Sequence, residues 1–493
     1  PRPEGTRSGR GGGLPPKVGT EGQAKVISPL STLHSPLLTP HSPLFRRRSY
    51  AIREFGAPYD AAPVPPSTWP DRPLSLPTPE HLAAAEARIR EQLALPTSLI
   101  QRAAAHLLAG RHLILTGAPG TGKSHLATLL VSELFGYYPM LVTATAEWSA
   151  FDVVGGLVPV VGEDATLRYD VRPGAVYEAL RHNWLFAADG TVRRDAEGVA
   201  LRMGTTHEGR QWPGVWLVVD ELNRADVDKA FGDLFTALES GALRVPRAGR
   251  ESSILIPLPR DFRLVATLNT RDRHFLFTLS DALKRRFAFV EIQPPSDVDE
   301  ERAILLRRAS AALEEQGLTV DETTLQATLD RLYPVVVLLR AFHPLGTAPL
   351  LAVLRYVGAA RQLEPRSLDT LLEEAVVAEI LPQLEGMRDL PLRLLTLLVR
   401  GDRDAALAAL GEALSQSYGD PIPLRSLRSL AQLANTGLAT QAAQLQHAPP
   451  SDPATTSAAL IVLDTLREQA EAIPAPTWPL VAAHLQALLD ERT

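Results

Sequence analysis

Gly117-Ala118-Pro119-Gly120-Thr121-Gly122-Lys123-Ser124 fits the pattern G-x-x-x-x-G-K-[ST]. That spacing serves one kind of chemistry, the holding of a polyphosphate. Glycines 117, 120 and 122 let the backbone bend and approach phosphates with no Cβ in the way. Lys123 can reach the β- and γ-phosphates, and the Ser124 hydroxyl can ligate Mg²⁺. The cradle is taken to run from Gly117 through His125, at the start of the following helix. A second group lies about a hundred residues downstream, where the apolar run Val215-Trp216-Leu217-Val218-Val219 ends in Asp220-Glu221. Asp220 would hold the Mg²⁺ shell and Glu221 would take the proton of an attacking water. A third run, Phe262-Arg263-Leu264-Val265-Ala266-Thr267-Leu268, ends at Asn269, which could hold that water or the γ-phosphate.

These groups need elements that bring them together. Residues 111–116 read as a short buried strand, and 124–135 as a helix with Leu126, Leu129, Leu130 and Leu134 inward. A glycine-rich turn before a helix can be merely a turn. Here a strand precedes it, a helix follows, and a chain with five lysines against forty-five arginines places one at the motif position. Residues 138–145, 215–219 and 262–268 give further buried strands, so a parallel α/β sheet is expected with its carboxylates at the strand C-termini, where such sheets bind ligands. Hairpins are expected over 158–171 and 242–257. Thr78-Pro79-Glu80 predicts a helix start, and a second helix runs from residue 97 to about 110. Residues 187–213 read as a polar insertion of unassigned structure. From Asp297 the pattern is helical, with helices over 298–317, 321–332, 348–363 and 367–384, more amphipathic helices over 385–448, a linker at 449–453 and a terminal pair over 454–493.

Residues 1–77 are rich in Pro, Ser, Gly and Arg and keep no period, so a disordered tail is expected. Its Arg46-Arg47-Arg48 reads as a solvated charge run or a contact for a partner. Over the whole chain, 45% apolar and 22% charged residues describe an ordinary soluble composition. A net charge of −6 argues against a generally basic nucleic-acid-coating surface. The absence of cysteine removes disulfides, thiol nucleophiles and Cys-type metal sites, and fits the cytoplasm. No apolar run reaches the ~20 residues of a membrane helix, so no membrane partner is expected.

Together, the P-loop, the Asp-Glu strand, the Asn strand end and Lys284-Arg285-Arg286-Phe287 resemble the AAA+ ATPases, and most closely the MoxR/McrB-like branch. Asp220-Glu221-Leu222-Asn223-Arg224-Ala225 is similar to D-E-[IL]-N-R-A. Asn269-Thr270 with Asp272-Arg273 is similar to N-T-x-D-R. Ala282 to Phe287 is similar to A-L-[RK]-R-R-F, and Glu379-Ile380-Leu381-Pro382 to the lid's E-[IV]-L-P. The resemblance covers roughly 95–390. It implies an AAA+ core over 78–295, a helical lid over 296–400 and a helical extension over 401–493. It also implies ATP, with GTP as the other possibility, Mg²⁺, and a hexameric ring with nucleotide at its subunit interfaces. Carried over, Lys123 and Ser124 are Walker A, Asp220 and Glu221 Walker B, and Asn269 sensor 1. Arg286, then Arg285, is the arginine finger. The two hairpins would line the ring's pore. One position departs: Leu350 stands where MoxR-type lids carry a sensor-2 arginine, and Arg355 lies on another helix face.

Three readings follow. In the first, the ring remodels or threads a protein client or works with a von Willebrand A-type partner, and Trp148 and Phe151 either grip substrate or pack the hairpin. In the second, a McrB-like ring acts on DNA with a separate nuclease subunit, and Arg168, Arg244 and Arg247 face inward. In the third, the chain is a nucleotide-gated scaffold, which the intact Glu221 and Asn269 argue against.

Overall fold

The computed structural model describes residues 71–161, 167–207, 209–247, 253–269, 281–363, 366–384, 386–402, positions 405, 406, 408, 409 and 412, and 478–491. The chain divides into Pro1–Gly56, which lies outside the described residues, and Ala57–Thr493, to which everything below belongs. Residues 1–70 of the expected tail, the charge run at 46–48, residues 270–273 and the linker at 449–453 also fall outside them.

Helix α1, Pro79–Gln92, starts where the sequence predicts. The Thr78 hydroxyl accepts from the His81 N–H, and Pro79 sits in the first turn, where its missing N–H costs nothing. Helix α2, Thr97–Leu108, buries Leu99, Ile100, Ala103, Ala104 and Leu107. Strand β1, His112–Gly117, is buried along its whole length. Helix α3, Lys123–Leu129, follows the glycine loop and widens into a π-helical turn over Leu130–Leu134. Then come β2, Tyr138–Thr143, the short α4, Ala150–Val153, and the antiparallel ribbon of β3, Gly155–Val161, and β4, Leu167–Pro173. Helix α5, Ala175–Arg181, leads to the hairpin of β5, Thr205–His207, and β6, Arg210–Trp212, and on to β7, Val215–Asp220. Helix α6, Val227–Ser240, is capped by Asp226 and closed by Gly241 at φ 76°. The hairpin of β8, Ala242–Val245, and β9, Ile254–Pro257, precedes β10, Leu264–Asn269, α7, Asp281–Arg286, and β11, Phe287–Ile292.

Five strands form one parallel sheet in the order β11-β1-β10-β7-β2. Since β1 lies inside the sheet and its successor β2 at the far edge, the strand order reverses beside β1. A crevice opens there at the strand C-termini. Register sets Gly117 opposite Asn269 on one side and Ile292 on the other. The sheet therefore brings the glycine loop, the Asp220-Glu221 pair and Asn269 to one end.

The lid comprises α8, Val298–Glu315, α9, Glu322–Phe342, α10, Thr347–Leu363, α11, Leu368–Ala375, and α12, Asp389–Val399. They share one apolar core, which also takes in Trp478, Val481, Ala482 and Leu485 of the segment carrying α13, Pro479–Asp490. The described part of the extension thus packs into the lid.

Several boundaries differ from expectation. Helix α9 does not stop near Leu332 but passes through Pro334 to Phe342. Leu332, Tyr333, Val335, Val336 and Leu339 are all buried in the lid core. Their burial, about 1.5–3 kcal/mol for a large apolar side chain, outweighs the ~3 kcal/mol an interior proline costs. The expected helix over 367–384 is α11 followed by a π-helical turn, Val376–Ile380, and a 3-10 turn, Leu381–Leu384. The end of the expected tail is tied down, because Asp71 accepts from the Arg260 N–H at 3.0 Å and from Arg202 at 3.2 Å. The insertion at 187–213 is a narrow β-structure, with bridges Trp184↔Arg202, Phe186↔Val192 and Arg194↔Ala200 ahead of the β5–β6 hairpin.

Trp148 and Phe151 pack within the fold. Trp148 lies against Phe231 of α6 at 5.9 Å between ring centroids. A Cβ at Gly156 would meet the Phe151 ring at 2.3 Å, so Phe151 covers the base of the β3–β4 ribbon.

Candidate nucleotide site

The loop at the end of β1 has the shape its glycines allow. Gly117, Gly120 and Gly122 take φ of 154°, 75° and 84°. A Cβ on Gly117 would sit 2.3 Å from the Ile292 carbonyl oxygen. The first helical bond of α3 runs from the Leu126 N–H to the Gly122 carbonyl. The N–H groups of Lys123, Ser124 and His125 thus lie in the first turn, where a helix has donors to spare for an anion.

Lys123 is buried and turned back on the loop, donating to the carbonyls of Gly117 at 3.1 Å and Ala118 at 2.7 Å. Burial pushes its ammonium down to about 8, against the opposing pull of Asp220 and Glu221. The Ser124 hydroxyl donates to Asp220 Oδ1 at 2.5 Å, so the two oxygen donors expected at a magnesium ion stand together. Hard oxygens from one hydroxyl and one carboxylate suit Mg²⁺, which takes the rest of its shell from water and phosphates. Among the described residues, no group of three His, Cys, Asp or Glu side chains converges to hold an ion alone.

Glu221 follows Asp220 with φ 53° and ψ 45°, the one non-glycine residue at positive φ among those described. Such a backbone costs of order 1–3 kcal/mol and tends to mark functional positions. Asn269 Nδ2 donates to Glu221 Oε1 at 3.5 Å, and Arg224 pairs with Glu221 Oε2 at 2.8 Å. Thr267, which sequence reasoning did not single out, joins the group: its hydroxyl donates to Asp220 Oδ1 at 2.6 Å and accepts from the Glu221 N–H at 3.0 Å. The period of β10 was the available signal, since Thr267 is two residues before Asn269 and faces the same side.

The lid closes the crevice from above. The Ala348 N–H donates to the Gly120 carbonyl at 3.1 Å. A Cβ on Gly346 would stand 2.3 Å from the Gly120 carbonyl carbon. The start of α10 behind this contact is fixed by buried Glu301, which takes a two-pronged pair from Arg340 at 2.7 and 2.8 Å and a bond from Thr347 at 2.6 Å. The resulting cavity, about 370 Å³, is lined by the loop from Pro119 to His125, Asp220, Glu221, Thr267, Asn269, the α1 end at Leu93 to Leu95, and Ile304, Leu305, Arg308 and Leu351 of the lid.

The two arginines proposed as fingers do not line this cavity. Arg286 pairs with Glu239 of α6 at 2.7 Å and lies 6.0 Å over the Phe235 ring, while Arg285 is exposed. Arg168 and Arg244 are exposed on the two hairpins, and Arg247 pairs with Asp189 at 3.3 Å.

Two histidines flank the loop, His112 buried and His125 half-buried. His112 accepts from the Leu264 N–H at 3.0 Å, and burial, with Arg263 and Arg111 adding to it, pushes its pKa down to about 3. His125 shares a 2.9 Å hydrogen bond with Gln92, and burial with the charge of Arg308 pushes it down to about 3 as well. Above pH 6.5 both rings are neutral in the folded and unfolded chain. Between pH 6.5 and about 3 the unfolded chain binds protons that the folded chain refuses, so stability falls as pH falls. The loss should be on the order of 1 kcal/mol per ring per pH unit. Urea unfolding midpoints at pH 7.5 and 5.5 should therefore separate, and His112→Asn, whose carbonyl can still accept, should narrow the gap.

Residues 112–287 match the AAA domain of the dynein-related subfamily. The uncharacterized protein YehL of Escherichia coli (strain K12) is 26% identical over 261 residues, 52% of this chain and 62% of that protein. The Type IV methyl-directed restriction enzyme EcoKMcrB subunit of the same organism is 23% identical over 230 residues, 44% of this chain and 42% of that protein. The Type II restriction enzyme BsuMI component YdiS of Bacillus subtilis (strain 168) is 27% identical over 203 residues, 36% of this chain and 56% of that protein. The chain thus spans between 42% and 62% of the length of these relatives.

Proposed function

We propose that this chain, whose residues 112–287 match an AAA domain, is an AAA+ ATPase of the MoxR/McrB-like kind that hydrolyses ATP with Mg²⁺ between copies of itself and uses the lid and hairpin motion to remodel a protein partner. The observation that carries the hydrolytic step is the cluster at the end of β7 and β10. Ser124, Asp220, Glu221, Thr267 and Asn269 are joined by bonds of 2.5–3.5 Å beneath the phosphate loop. Lys123 neutralises the β- and γ-phosphates. Ser124 and Asp220 would hold Mg²⁺, which supplies charge neutralisation across those phosphates. Glu221 takes the proton of the attacking water, and Asn269 orients it.

The base end of the cavity supports ATP. Asp220 and Glu221 are the carboxylates among its lining residues, and both stand at the phosphate end. Leu93, Ala94, Leu95, Ile304, Leu305 and Leu351 line the cavity beside Gln92, whose side-chain oxygen is taken up by His125 at 2.9 Å. Guanine presents a 2-amino donor that adenine lacks, and an apolar wall leaves that donor unpaired.

A protein partner is supported by the β3–β4 ribbon. Its register pairs Leu157 with Val171, Pro159 with Tyr169 and Val161 with Leu167 on one face, and Val161, Leu167 and Tyr169 are 70%, 62% and 54% exposed. A DNA-acting motor working with a nuclease subunit is the second reading. It is favoured by the two restriction-enzyme relatives and by Leu350 at the sensor-2 position. Steady-state hydrolysis of ATP and GTP, with and without double-stranded DNA, separates them. ATP turnover indifferent to DNA supports the first reading, and GTP preference or strong DNA stimulation supports the second.

The finger assignment has its own test. Arg286→Ala and Lys123→Ala should each abolish turnover, and mixing them should restore part of it, because a finger and a phosphate loop from different subunits leave some interfaces intact. Mixtures as inactive as the single variants would refute action between subunits.

A further inference from the structure

Leu350 is fully buried in the lid core, so the position at which related lids present an arginine sends no charge toward the phosphate loop. What the same stretch of lid brings to the loop is main chain. Gly346 packs so closely that a Cβ on it would stand 2.3 Å from the Gly120 carbonyl carbon, 2.4 Å from the Gly120 oxygen and 2.7 Å from the Pro119 oxygen. Two residues on, the Ala348 N–H donates to the Gly120 carbonyl at 3.1 Å. Ala348 lies in the first turn of α10, where an N–H has no acceptor within its own helix. The helix start lends that donor to the loop, and the Glu301–Arg340–Thr347 group holds the helix start in place.

The bond acts on the peptide that follows. A trans peptide sets its N–H antiparallel to its carbonyl. With the Gly120 carbonyl held out toward the lid, the Thr121 N–H is turned to the opposite side of the loop. That side is the interior, where Lys123 Nζ sits on the carbonyls of Gly117 and Ala118 and the Thr121 hydroxyl donates to the Ala118 carbonyl at 2.9 Å. Gly120, at φ 75°, allows this peptide to turn over at little cost, so its orientation needs an outside hold. N–H groups aligned inward in this way form an anion-binding nest.

We propose that the lid main chain at Gly346 and Ala348 is a positioning element of the nucleotide site. By holding the Gly120 carbonyl outward, it presents the Thr121 N–H to the phosphates, and lid position and nucleotide affinity are linked through backbone. This rests on the nucleotide reading of the site. Loop N–H groups serve the α- and β-phosphates, so diphosphate and triphosphate depend on the contact alike.

The test is calorimetric titration of the full chain with ATPγS and with ADP, in the presence of Mg²⁺, for the wild type, Gly346→Ala and Gly358→Ala. The Gly346 backbone lies outside the left-handed region, so alanine fits it and the added methyl acts as a wedge between lid and loop. Gly358→Ala, later in α10, presses instead on Leu313 Cδ1 at 2.6 Å inside the lid. Gly346→Ala should lose roughly 10- to 100-fold in affinity for both nucleotides, the size of one hydrogen bond to a charged group. Gly358→Ala should bind as the wild type does. Unchanged affinities in Gly346→Ala would overturn the proposal. So would an equal loss in Gly358→Ala, which would make general lid packing the cause, and so would a loss confined to ATPγS. The nucleotide-free wild type supplies a reading that needs no variant. Its Ala348 amide should be protected from hydrogen exchange by the Gly120 carbonyl, and exchange at the rate of an unstructured amide would also overturn the proposal. A wild type that binds neither nucleotide would instead overturn the nucleotide reading itself.

Discussion

Glu221→Gln is expected to lower nucleotide hydrolysis by about 10²–10⁴-fold while leaving nucleotide affinity close to that of the wild type, the range a positioned general base contributes. The geometry argues for this division. Glu221 reaches the site through a backbone in the left-handed region, at φ 53°, held by the bond from its own N–H to the Thr267 hydroxyl. Glutamine has the same length and branching, so it can keep that backbone and still accept from Asn269. What it cannot do is take a proton from water. Binding is governed elsewhere, by the loop N–H groups, Lys123 and the Ser124–Asp220 pair. Lys123→Ala should accordingly lose affinity where Glu221→Gln does not. Single-turnover hydrolysis set beside calorimetric affinity measures both. Wild-type turnover in Glu221→Gln would remove Glu221 from the role of base. The ion pair with Arg224 makes a companion variant informative, because Arg224 is 61% exposed at its side chain and holds the carboxylate that must accept the proton.

Much of this site was legible in the chain because its parts are local. A phosphate loop is eight consecutive residues whose conformation follows from their own glycines. The Asp220-Glu221 pair announces itself as carboxylates ending an apolar strand. Thr267 was hidden for the opposite reason. Its importance comes from the pairing of β10 with β7, where Ala266 stands opposite Val219, and that register brings its hydroxyl beside Asp220. A threonine inside a buried strand otherwise reads as a β-branched filler. The cavity wall supplied by α8 was hidden likewise, since nothing within that helix says that Ile304, Leu305 and Arg308 close over a loop far back in the chain. The helix through Pro334 was misjudged because a local breaker was weighed without the lid core that overrides it. For Trp148 and Phe151 the sequence leaves open whether they grip a substrate or pack the hairpin. The fold turns one onto α6 and the other onto the ribbon base.

Arg202→Met is expected to cost about 3–5 kcal/mol of stability, the usual result of removing one partner from a buried ion pair. Arg202 belongs to the insertion whose structure the sequence left unread. Its side chain is 1% exposed and makes a forked contact with Asp261, at 2.7 and 3.3 Å. It also reaches Asp71 at 3.2 Å and Asn183 at 3.3 Å, and stacks over the Trp184 ring at 5.3 Å. Asp261 in turn accepts from the Tyr137 hydroxyl at 2.5 Å. Asn183 bonds both the N–H and the carbonyl of Val215, the first residue of β7. One guanidinium thus joins the insertion, the segment before α1 and the N-terminal ends of the strands whose opposite ends carry Asp220 and Asn269. Methionine fills much of the same volume but leaves the buried Asp261 carboxylate without its directly paired cation. The same substitution paired with Asp261→Asn should recover part of the loss, because the uncompensated charge is then gone. Urea unfolding of the two single variants and the double measures this coupling. The site lies at the other end of the sheet, so nucleotide affinity measured well below the unfolding transition should hold in all three. A fall in affinity that tracked the loss of stability would mean that the strands carry strain from the insertion to the phosphate loop.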